Sequence, residues 1–493
     1  MKDARRELGF LLKHSTIYGL GNLLSKAVAI LLLPLYTRHL TPADYGVMEL
    51  LETSTSMLAV VVGVGLSSAM TRYYYEARSD DARRHVVSTT MLLVIIMSAV
   101  VLGGASLFTP LLSQAIFGDS KYAYFFLMSF GALGLGLVID LLLVYLRVME
   151  KPLAYVAISL AMLVTTVALT VYAVAFRGMG VEGVLLANLY AKVAFAGAAM
   201  VYMVMRIGCV LDRAVAKSIF SYSWPLIPSE AINSLIGYSD RYFINHHISL
   251  AAAGVYSLTQ KLGTVLHTLV TSPFILAFLP KRFEIASRGN AAPLLSMVYQ
   301  VYMLVIVTLT LCLALGASLI VGLLTDSAFH EAAKYIPLTA ASMVLLGMKY
   351  HFQFGILYSK KTKYIMYTNA ICLVVQLGGN ALLIPAFGVW GAINAYMITQ
   401  VVTLYFYHFY SQREYPVDLK LAWTLRLFVA ATIPYLLKAK LSTGSVVSEV
   451  FVSLGALGLF VALTVAFRVL SVSQFQEMIG RLRSLISPAR VRE

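Results

Sequence analysis

Charged residues are scarce in this chain, and their scarcity excludes most soluble folds. Asp, Glu, Lys and Arg make up 12% of the 493 residues, about half the share that a soluble domain carries. Hydrophobic residues make up 59%, and the mean hydropathy is +0.80. They fall in long runs, not in the alternating ten-residue segments of a transmembrane barrel. The composition therefore predicts an all-α polytopic membrane protein.

Motifs for several kinds of chemistry are also missing. The three cysteines, Cys209, Cys312 and Cys372, have no CxxC spacing and are interpreted as small packing residues. The sequence contains no Gly-Lys pair and so no P-loop, and it has neither a nucleophile elbow nor a metalloprotease motif. We therefore expect no enzyme activity, no cofactor and no metal site.

Apolar runs of near-membrane length occur fourteen times. They are numbered here as spans 1 to 14: 15–36, 46–68, 87–108, 122–146, 153–176, 182–205, 219–244, 254–279, 294–324, 336–358, 365–386, 389–410, 421–437 and 446–467. The first run is too long to be the apolar part of a cleavable signal peptide.

The distribution of basic residues predicts the orientation. With the N-terminus inside, 26 of the 38 Lys and Arg residues fall on the inner side and 7 on the outer side. Because cytoplasmic loops carry the excess of Lys and Arg, both termini are predicted to be cytoplasmic. This bias also explains most of the formal charge of +15 without a nucleic-acid partner.

The chain contains an internal repeat. A shift of 208 residues places Ser15–Leu50 on Ser223–Leu258, and the same shift places Gly180-Val181-x-Gly183 on Gly388-Val389-x-Gly391. The shift covers six spans, so the two copies enter the membrane from the same side and form a parallel repeat. We predict two six-helix lobes at 15–217 and 218–412. A cytoplasmic segment (1–14) precedes them, and two appended helices (413–468) and a basic amphipathic tail (469–493) follow.

Helix-breaking residues occur at corresponding places in the two copies. Tyr18-Gly-Leu-Gly21 is matched by Trp224-Pro-Leu-Ile-Pro228, at the inner ends of spans 1 and 7. Proline interrupts helical hydrogen bonding, and paired interruptions in the two halves of a transporter indicate substrate-lining helices. Packing glycines and prolines are the alternative interpretation.

Ionisable residues inside the spans are the candidates for function. A lysine at mid-membrane depth is costly and normally faces a polar interior. Lys26, Lys192, Lys261 and Lys349 predict a positive cleft that attracts phosphate, with Asn22 on the polar stripe of Lys26. Alternatively, some of these lysines snorkel or pair with Glu52, Asp140 or Asp240. Those three carboxylates are the candidates for proton or sodium coupling, although Asp240 and Arg241 could equally form a local ion pair.

Four segments resemble the polysaccharide-biosynthesis flippases of the Wzx-like group. They are SKAVAILLLPLYTRHLTPADYG (25–46), GLSSAMTRYYYEARSDDARRHVVSTTML (65–92), SDRYFINHHISLAAAGVYSL (239–258) and GVWGAINAY (388–396). That group shares a superfamily with lipid II flippases and multidrug and toxic-compound extrusion transporters. The resemblance implies alternating access between two lobes, and it adds Arg72 and Arg241 as substrate-binding candidates at motif positions.

The implied substrate is an oligosaccharide on undecaprenyl diphosphate, moved from the inner to the outer leaflet of a bacterial plasma membrane for a surface polysaccharide such as O-antigen. Membrane lipids and polysaccharide polymerases are the implied partners. The chain has fourteen predicted spans, whereas the commonest O-antigen flippases have twelve. In this respect it resembles the lipid II branch.

Three other functions stay open from the sequence. One is an ion-coupled drug antiporter of the same superfamily, which would need an acidic cavity. Another is a membrane subunit of a polysaccharide secretion complex, powered by its partners. The third is a polytopic glycan polymerase or ligase, which would place its chemistry in a sizeable outer loop. No loop of that size is present between the spans.

Overall fold

The computed structural model describes residues 32–287, 291–441 and 446–469. Throughout these ranges the regular structure is helical and contains no strand, which confirms the predicted all-α fold. The candidate residues Asn22 and Lys26, the first helix breaker (18–21) and nearly all of the predicted tail lie outside the described residues.

Contacts divide the chain into two compact units. The first unit runs to Ser257 and includes 325–329 and 373–392, and the second comprises 258–324, 330–372 and the residues from 393 onward. These bounds differ from the lobe bounds given above, and the lobes stay a prediction.

In the first unit the long helices α4, α6 and α8 pack together. Together with α3 they bury a core that includes Met70, Met91, Leu142 and Met203. The helices are α1 (Leu33–His39), α2 (Pro42–Gly63), α3 (Leu66–Glu76), α4 (Asp80–Leu107), α5 (Thr109–Phe117), α6 (Ala123–Val148), α7 (Pro152–Val171), α8 (Gly180–Ile207), α9 (Arg213–Ser223) and α10 (Leu226–His247).

Helix α11 (Leu250–Leu266) begins in the first unit and continues into the second, where a π-helical turn (His267–Thr271) follows it. In the second unit the core forms around Tyr299, Tyr302, Phe352 and Tyr407. The remaining helices are α12 (Ser272–Ser287), α13 (Ala292–Leu315), α14 (Ala317–Leu324), α15 (Ala332–Phe352), α16 (Phe354–Tyr358), α17 (Lys363–Phe387), α18 (Val389–Glu414), α19 (Leu421–Leu441) and α20 (Val446–Ala466).

Within the described ranges, nine helical segments are long and apolar enough to cross a membrane, or ten if a bent pair at 250–276 and 281–287 counts as one span. Helices α10, α15 and α18 occupy the positions of spans 7, 10 and 12. Each of spans 2 to 14 is therefore matched by a helix, and the chain is a multi-pass membrane protein.

The two copies of the repeat start a helix in the same way. The Thr41 side chain accepts a hydrogen bond from the Asp44 N–H (3.1 Å) ahead of α2. Thr41 shifts by 208 residues onto Ser249, whose hydroxyl accepts from the Ala252 N–H (3.1 Å) ahead of α11. A side-chain oxygen at this position satisfies an amide that has no partner within the helix. The repeat found in the sequence is thus also a repeat of local structure.

One turn later, α2 and α11 touch each other through equivalent glycines. A Cβ atom on Gly46 would collide with the carbonyl oxygen of Leu250, and a Cβ atom on Gly254 would collide with that of Pro42. Gly46 shifts onto Gly254 and Pro42 onto Leu250, so the contact is reciprocal. We call it the glycine contact. Only glycine lets the two backbones approach this closely.

Substituting either residue of the glycine contact is expected to destabilise the protein. In Gly46→Ala or Gly254→Ala the new methyl group meets backbone atoms that cannot rotate away, which should lower the free energy of unfolding by about 1–3 kcal/mol. The two losses should be similar because the contact is reciprocal. Thermal unfolding in detergent measures both.

Gly103→Ala is the matched control, because Gly103 lies in α4 with no atom near a built Cβ. It should be neutral or stabilising by up to about 1 kcal/mol. Equal midpoints for all three variants would contradict the glycine contact.

The other pair of matched segments, 180–183 and 388–391, also shares its backbone geometry. Gly180 and Gly388 have φ angles of +57° and +60° at the starts of α8 and α18, a conformation that favours glycine. The predicted break in span 7 is present as well: α9 ends at Ser223, and α10 begins at Leu226 after Pro225.

Ionisable residues within the membrane helices

Three predicted site residues of the first unit come together. The Lys192 ammonium on α8 lies within electrostatic range of the carboxylates of Asp140 on α6 and Glu52 on α2. Lys192 is about 18 Å from the start of α8, and Glu52 is about 15 Å from the start of α2, at 1.5 Å per residue. All three residues are thus well inside their helices. We call them the Lys192 group.

The Lys192 group lies on an accessible face of the unit. Glu52 and Asp140 are exposed and Lys192 is partly buried. Charges at this depth are not stable against hydrocarbon, so they face a water-filled cleft or one another. Of the alternatives from the sequence, the structure favours an electrostatic association of Lys192 with the carboxylates. These positions can hold an anion at the lysine and a proton or cation at the carboxylates.

A glycine on α6 makes room for the lysine. The Lys192 Nζ atom would be 3.3 Å from a Cβ atom built on Gly136. Any larger side chain there would occupy the volume that the ammonium now takes. Gly136 therefore sets the direction in which Lys192 extends.

Gly136→Leu is expected to displace Lys192 and weaken anion binding at this site roughly tenfold, equivalent to about 1.4 kcal/mol of binding free energy. Gly197→Leu on α8 is the matched control, since nothing lies within 4 Å of a Cβ at Gly197. Binding of inorganic diphosphate to each purified variant measures the effect. Equal affinities of the two variants would show that the orientation of Lys192 does not matter.

Two further lysines lie in the second unit. Lys261 is partly buried on α11, and its carbonyl accepts a hydrogen bond from Thr264 (3.0 Å) just before the π-helical turn. Lys349 is partly buried on α15 with its Nζ 5.7 Å from the ring centroid of Tyr407. A cation–π contact of this kind stabilises an ammonium in an apolar setting. The π-turn matters because such turns recur at functional sites.

Asp240 and Arg241 form a buried network at the end of α10. Their side chains pair at 3.3 Å, and the Arg241 guanidinium also donates to the Gly237 carbonyl (3.2 Å). The Tyr256 hydroxyl of α11 donates to the other oxygen of Asp240. Asp240 is 1% exposed and Arg241 9%. The local ion pair left open by the sequence is therefore present, and it ties α10 to α11.

Arg72 lies apart from these groups. It sits at the end of α3, pairs with Glu76 at 2.8 Å and stacks 5.5 Å from the centroid of the Tyr222 ring. The Arg72 side chain is 55% exposed, so its contacts leave it accessible to a ligand.

Sequence reasoning missed one buried cation. Arg282 falls beyond the predicted end of span 8 (254–279), whereas in the structure it lies inside α12 and is only 2% exposed. Its Nη1 donates to the Tyr350 carbonyl (2.6 Å), while Nε and Nη2 have no hydrogen-bond partner in the described ranges. Aromatic rings of Phe283 and Phe354 each lie 5.3 Å from it. In the sequence the apolar run ends at Lys281-Arg282, so hydropathy alone places Arg282 outside the helix.

The profile of the family described as polysaccharide biosynthesis protein matches residues 11–285, more than half of the chain. The chain belongs to this polysaccharide biosynthesis family. The match confirms the resemblance seen in the sequence. It covers Lys192, Glu52 and Asp140, as well as Arg72, Asp240, Arg241 and Lys261.

Solved structures similar to this family member share its fold. The lipid II flippase MurJ in an inward closed conformation superposes with a TM-score of 0.71 at 10% identity, covering 93% of this chain and 99% of that one. An inward-facing multidrug resistance MATE family transporter of the MOP superfamily gives 0.63 at 14% identity, covering 81% and 94%.

A MOP superfamily transporter from Pyrococcus furiosus gives a TM-score of 0.53 at 15% identity, covering 83% of this chain and 96% of that one. These identities are low, so the similarity establishes a flippase or transporter fold for this member of the polysaccharide biosynthesis family and no more. A comparison with curated proteins finds no match.

Proposed function

We propose that the protein is a flippase that moves an undecaprenyl-diphosphate-linked oligosaccharide from the inner to the outer leaflet of a bacterial plasma membrane. The observation that carries the proposal is the Lys192 group, a cation and two carboxylates on an accessible mid-helix face of a polysaccharide biosynthesis protein. A lysine binds a phosphate as a point charge.

Within this proposal Lys192 has two alternating partners. Without substrate, its ammonium is compensated by Asp140 and Glu52. When the diphosphate arrives, the lysine turns to it and the carboxylates take up protons or sodium ions in its place. This exchange would couple transport to an ion gradient. Lys26, Asn22, Lys261 and Lys349 are further candidates for binding the diphosphate, and the proposed mechanism is alternating access of the two predicted lobes.

A second function is supported by one feature of the same site. The Lys192 group has two carboxylates for one lysine, and an excess of acid favours a cationic cargo. An ion-coupled drug antiporter of the same superfamily would use that excess directly.

Lipid analysis of cells depleted of the protein separates the two functions. A flippase predicts accumulation of undecaprenyl-diphosphate oligosaccharide on the inner leaflet, and the sugar composition of that lipid identifies the glycan. Increased drug sensitivity with a normal carrier-lipid pool would overturn the flippase and support the antiporter.

A further inference from the structure

A cavity of about 520 Å³ opens within the first unit, at the ends of α4, α6 and α8 that face the cytoplasm in the proposed topology. Four tyrosines and four cations line it, and the cations are Arg83, Arg84, Lys151 and Arg206. Two carboxylates, Asp80 and Glu150, are also in the lining. We call it the inner cavity. It is built from helix ends and is separate from the Lys192 group.

Two of the four cations already have partners nearby. Arg83 pairs with Asp80 at 3.2 Å, and Arg84 with Asp81 at 3.8 Å. Lys151 and Arg206 make no ion pair within the described ranges of the chain. The inner cavity thus holds Lys151 and Arg206 without an ion-pair partner, against the one remaining carboxylate of Glu150.

The turn that carries Lys151 recurs in the second copy of the repeat. Glu150 and Lys360 are non-glycine residues with φ angles of +53° and +59°. The next residue in each turn, Lys151 or Lys361, donates its N–H to a carbonyl five residues earlier, at 2.9 Å and 3.1 Å. This geometry is a common cap of a helix C-terminus, and it also occurs at Arg468 and Val469. We take Lys361 as the counterpart of Lys151 because each follows the end of the equivalent span, 4 or 10, at a shift of 210 residues.

The counterpart of Arg206 has the opposite charge. A shift of 208 residues places Tyr202 on Tyr410 and Arg206 on Glu414. In the second copy, Glu414 pairs with Lys361 at 2.8 Å.

The second copy is also closed by close packing at this turn. At the shift of 210 residues that relates the two turns, Gly355 stands at the position of Tyr145, and its N–H donates to the Ser411 hydroxyl (2.8 Å). A Cβ atom on Gly355 would collide with Ser411. In the first copy Tyr145 lines the inner cavity instead. In the second copy the carboxylate of Glu414 therefore compensates Lys361. In the first copy the equivalent residue is the cation Arg206, which lines an open cavity.

We propose that the inner cavity binds the phosphate group of a lipid headgroup on the cytoplasmic leaflet. Arg206 and Lys151 take the phosphate in the place that Glu414 fills beside Lys361, and the guanidinium of Arg206 can bind two phosphate oxygens at once. The tyrosines offer hydroxyl groups and ring faces to a glycerol or sugar. The proposal depends on the proposed function only for the side of the membrane that the cavity faces.

The test uses the purified full-length protein in phosphatidylcholine nanodiscs, with inorganic diphosphate and phosphatidylglycerol as two separate probes. The key variant, Arg206→Glu, places a carboxylate where the second copy has Glu414. The new carboxylate should pair with Lys151, as Glu414 pairs with Lys361, so the variant should fold but no longer bind a phosphate. Its affinity for at least one probe should fall about tenfold or more, because a charge-assisted contact contributes about 1.5–3 kcal/mol.

Arg213→Glu is the matched control: Arg213 is exposed at the start of α9 and does not line the inner cavity. It should leave both affinities unchanged. If the melting temperature shows that Arg206→Glu unfolds, Lys151→Gln gives the same binding test.

The two probes distinguish the source of the phosphate. Loss of phosphatidylglycerol binding alone supports a phospholipid headgroup, and loss for both probes supports phosphate recognition that a carrier lipid could also satisfy. Wild-type affinity in Arg206→Glu for both probes, or no binding of either probe by the wild type, overturns the proposal. Binding is measured without transport, so these outcomes are independent of whether the flippase function is correct.

Discussion

Replacing Lys192 by methionine is expected to lower glycan export by roughly 10- to 100-fold while leaving the protein in the membrane. Methionine keeps the unbranched, apolar stem of the side chain and removes the charge. A charge-assisted contact contributes about 1.5–3 kcal/mol, and each 1.4 kcal/mol changes binding tenfold. The loss should be in apparent affinity for the lipid-linked substrate, measured by uptake of labelled substrate into proteoliposomes.

The carboxylate variants should behave differently. Asp140→Asn and Glu52→Gln are expected to change the dependence of export on the ion gradient, with a smaller effect on substrate affinity. Lys217→Met, at an exposed position on α9, controls for the loss of one lysine. Normal export by Lys192→Met would remove the Lys192 group from the transport site and leave the family and the fold as they are.

The largest effect on stability is expected at the buried ion pair of α10. In Arg241→Met the carboxylate of Asp240, 1% exposed, keeps its contact with Tyr256 and loses the guanidinium that compensates its charge. Breaking a buried pair by removing one member costs about 3–5 kcal/mol, because a charge is left without compensation. The free energy of unfolding in detergent should fall by that amount.

Arg177→Met provides the comparison, since Arg177 is exposed beyond the end of α7 and its loss should change stability by less than about 0.5 kcal/mol. A double variant, Asp240→Leu with Arg241→Met, should recover part of the loss because the uncompensated charge is gone. If Arg241→Met is as stable as the wild type, Asp240 is not held as an ion in the folded protein.

The helices could be predicted from the sequence because their determinants are local. Apolar runs of membrane length and capping residues such as Thr41 and Ser249 act within a few residues along the chain. The repeat was also accessible, because Gly46 and Gly254 keep their spacing from neighbouring matches. These features needed no knowledge of which helices pack together.

Charge partners could not be predicted, since they depend on packing between distant segments. Lys192, Asp140 and Glu52 are 52 to 140 positions apart in sequence, so the pairing of Lys192 was only one of two alternatives. Arg282 was misplaced for a related reason: a hydropathy pattern places a cation at the end of an apolar run in a loop, although aromatic rings bury it. The contrast between Arg206 and Glu414 required the turn geometry as well as the sequence shift.

The glycine contact bears on how the chain originated. A contact in which each residue of one copy meets the equivalent residue of the other is the kind that an isologous homodimer makes across its two-fold axis. A half-length ancestor with this one glycine would have made the contact with a second molecule of itself. After gene duplication and fusion, each glycine is still confined by a backbone carbonyl of the opposite helix. Both positions therefore keep glycine for the same reason, although a change at one is no longer copied to the other.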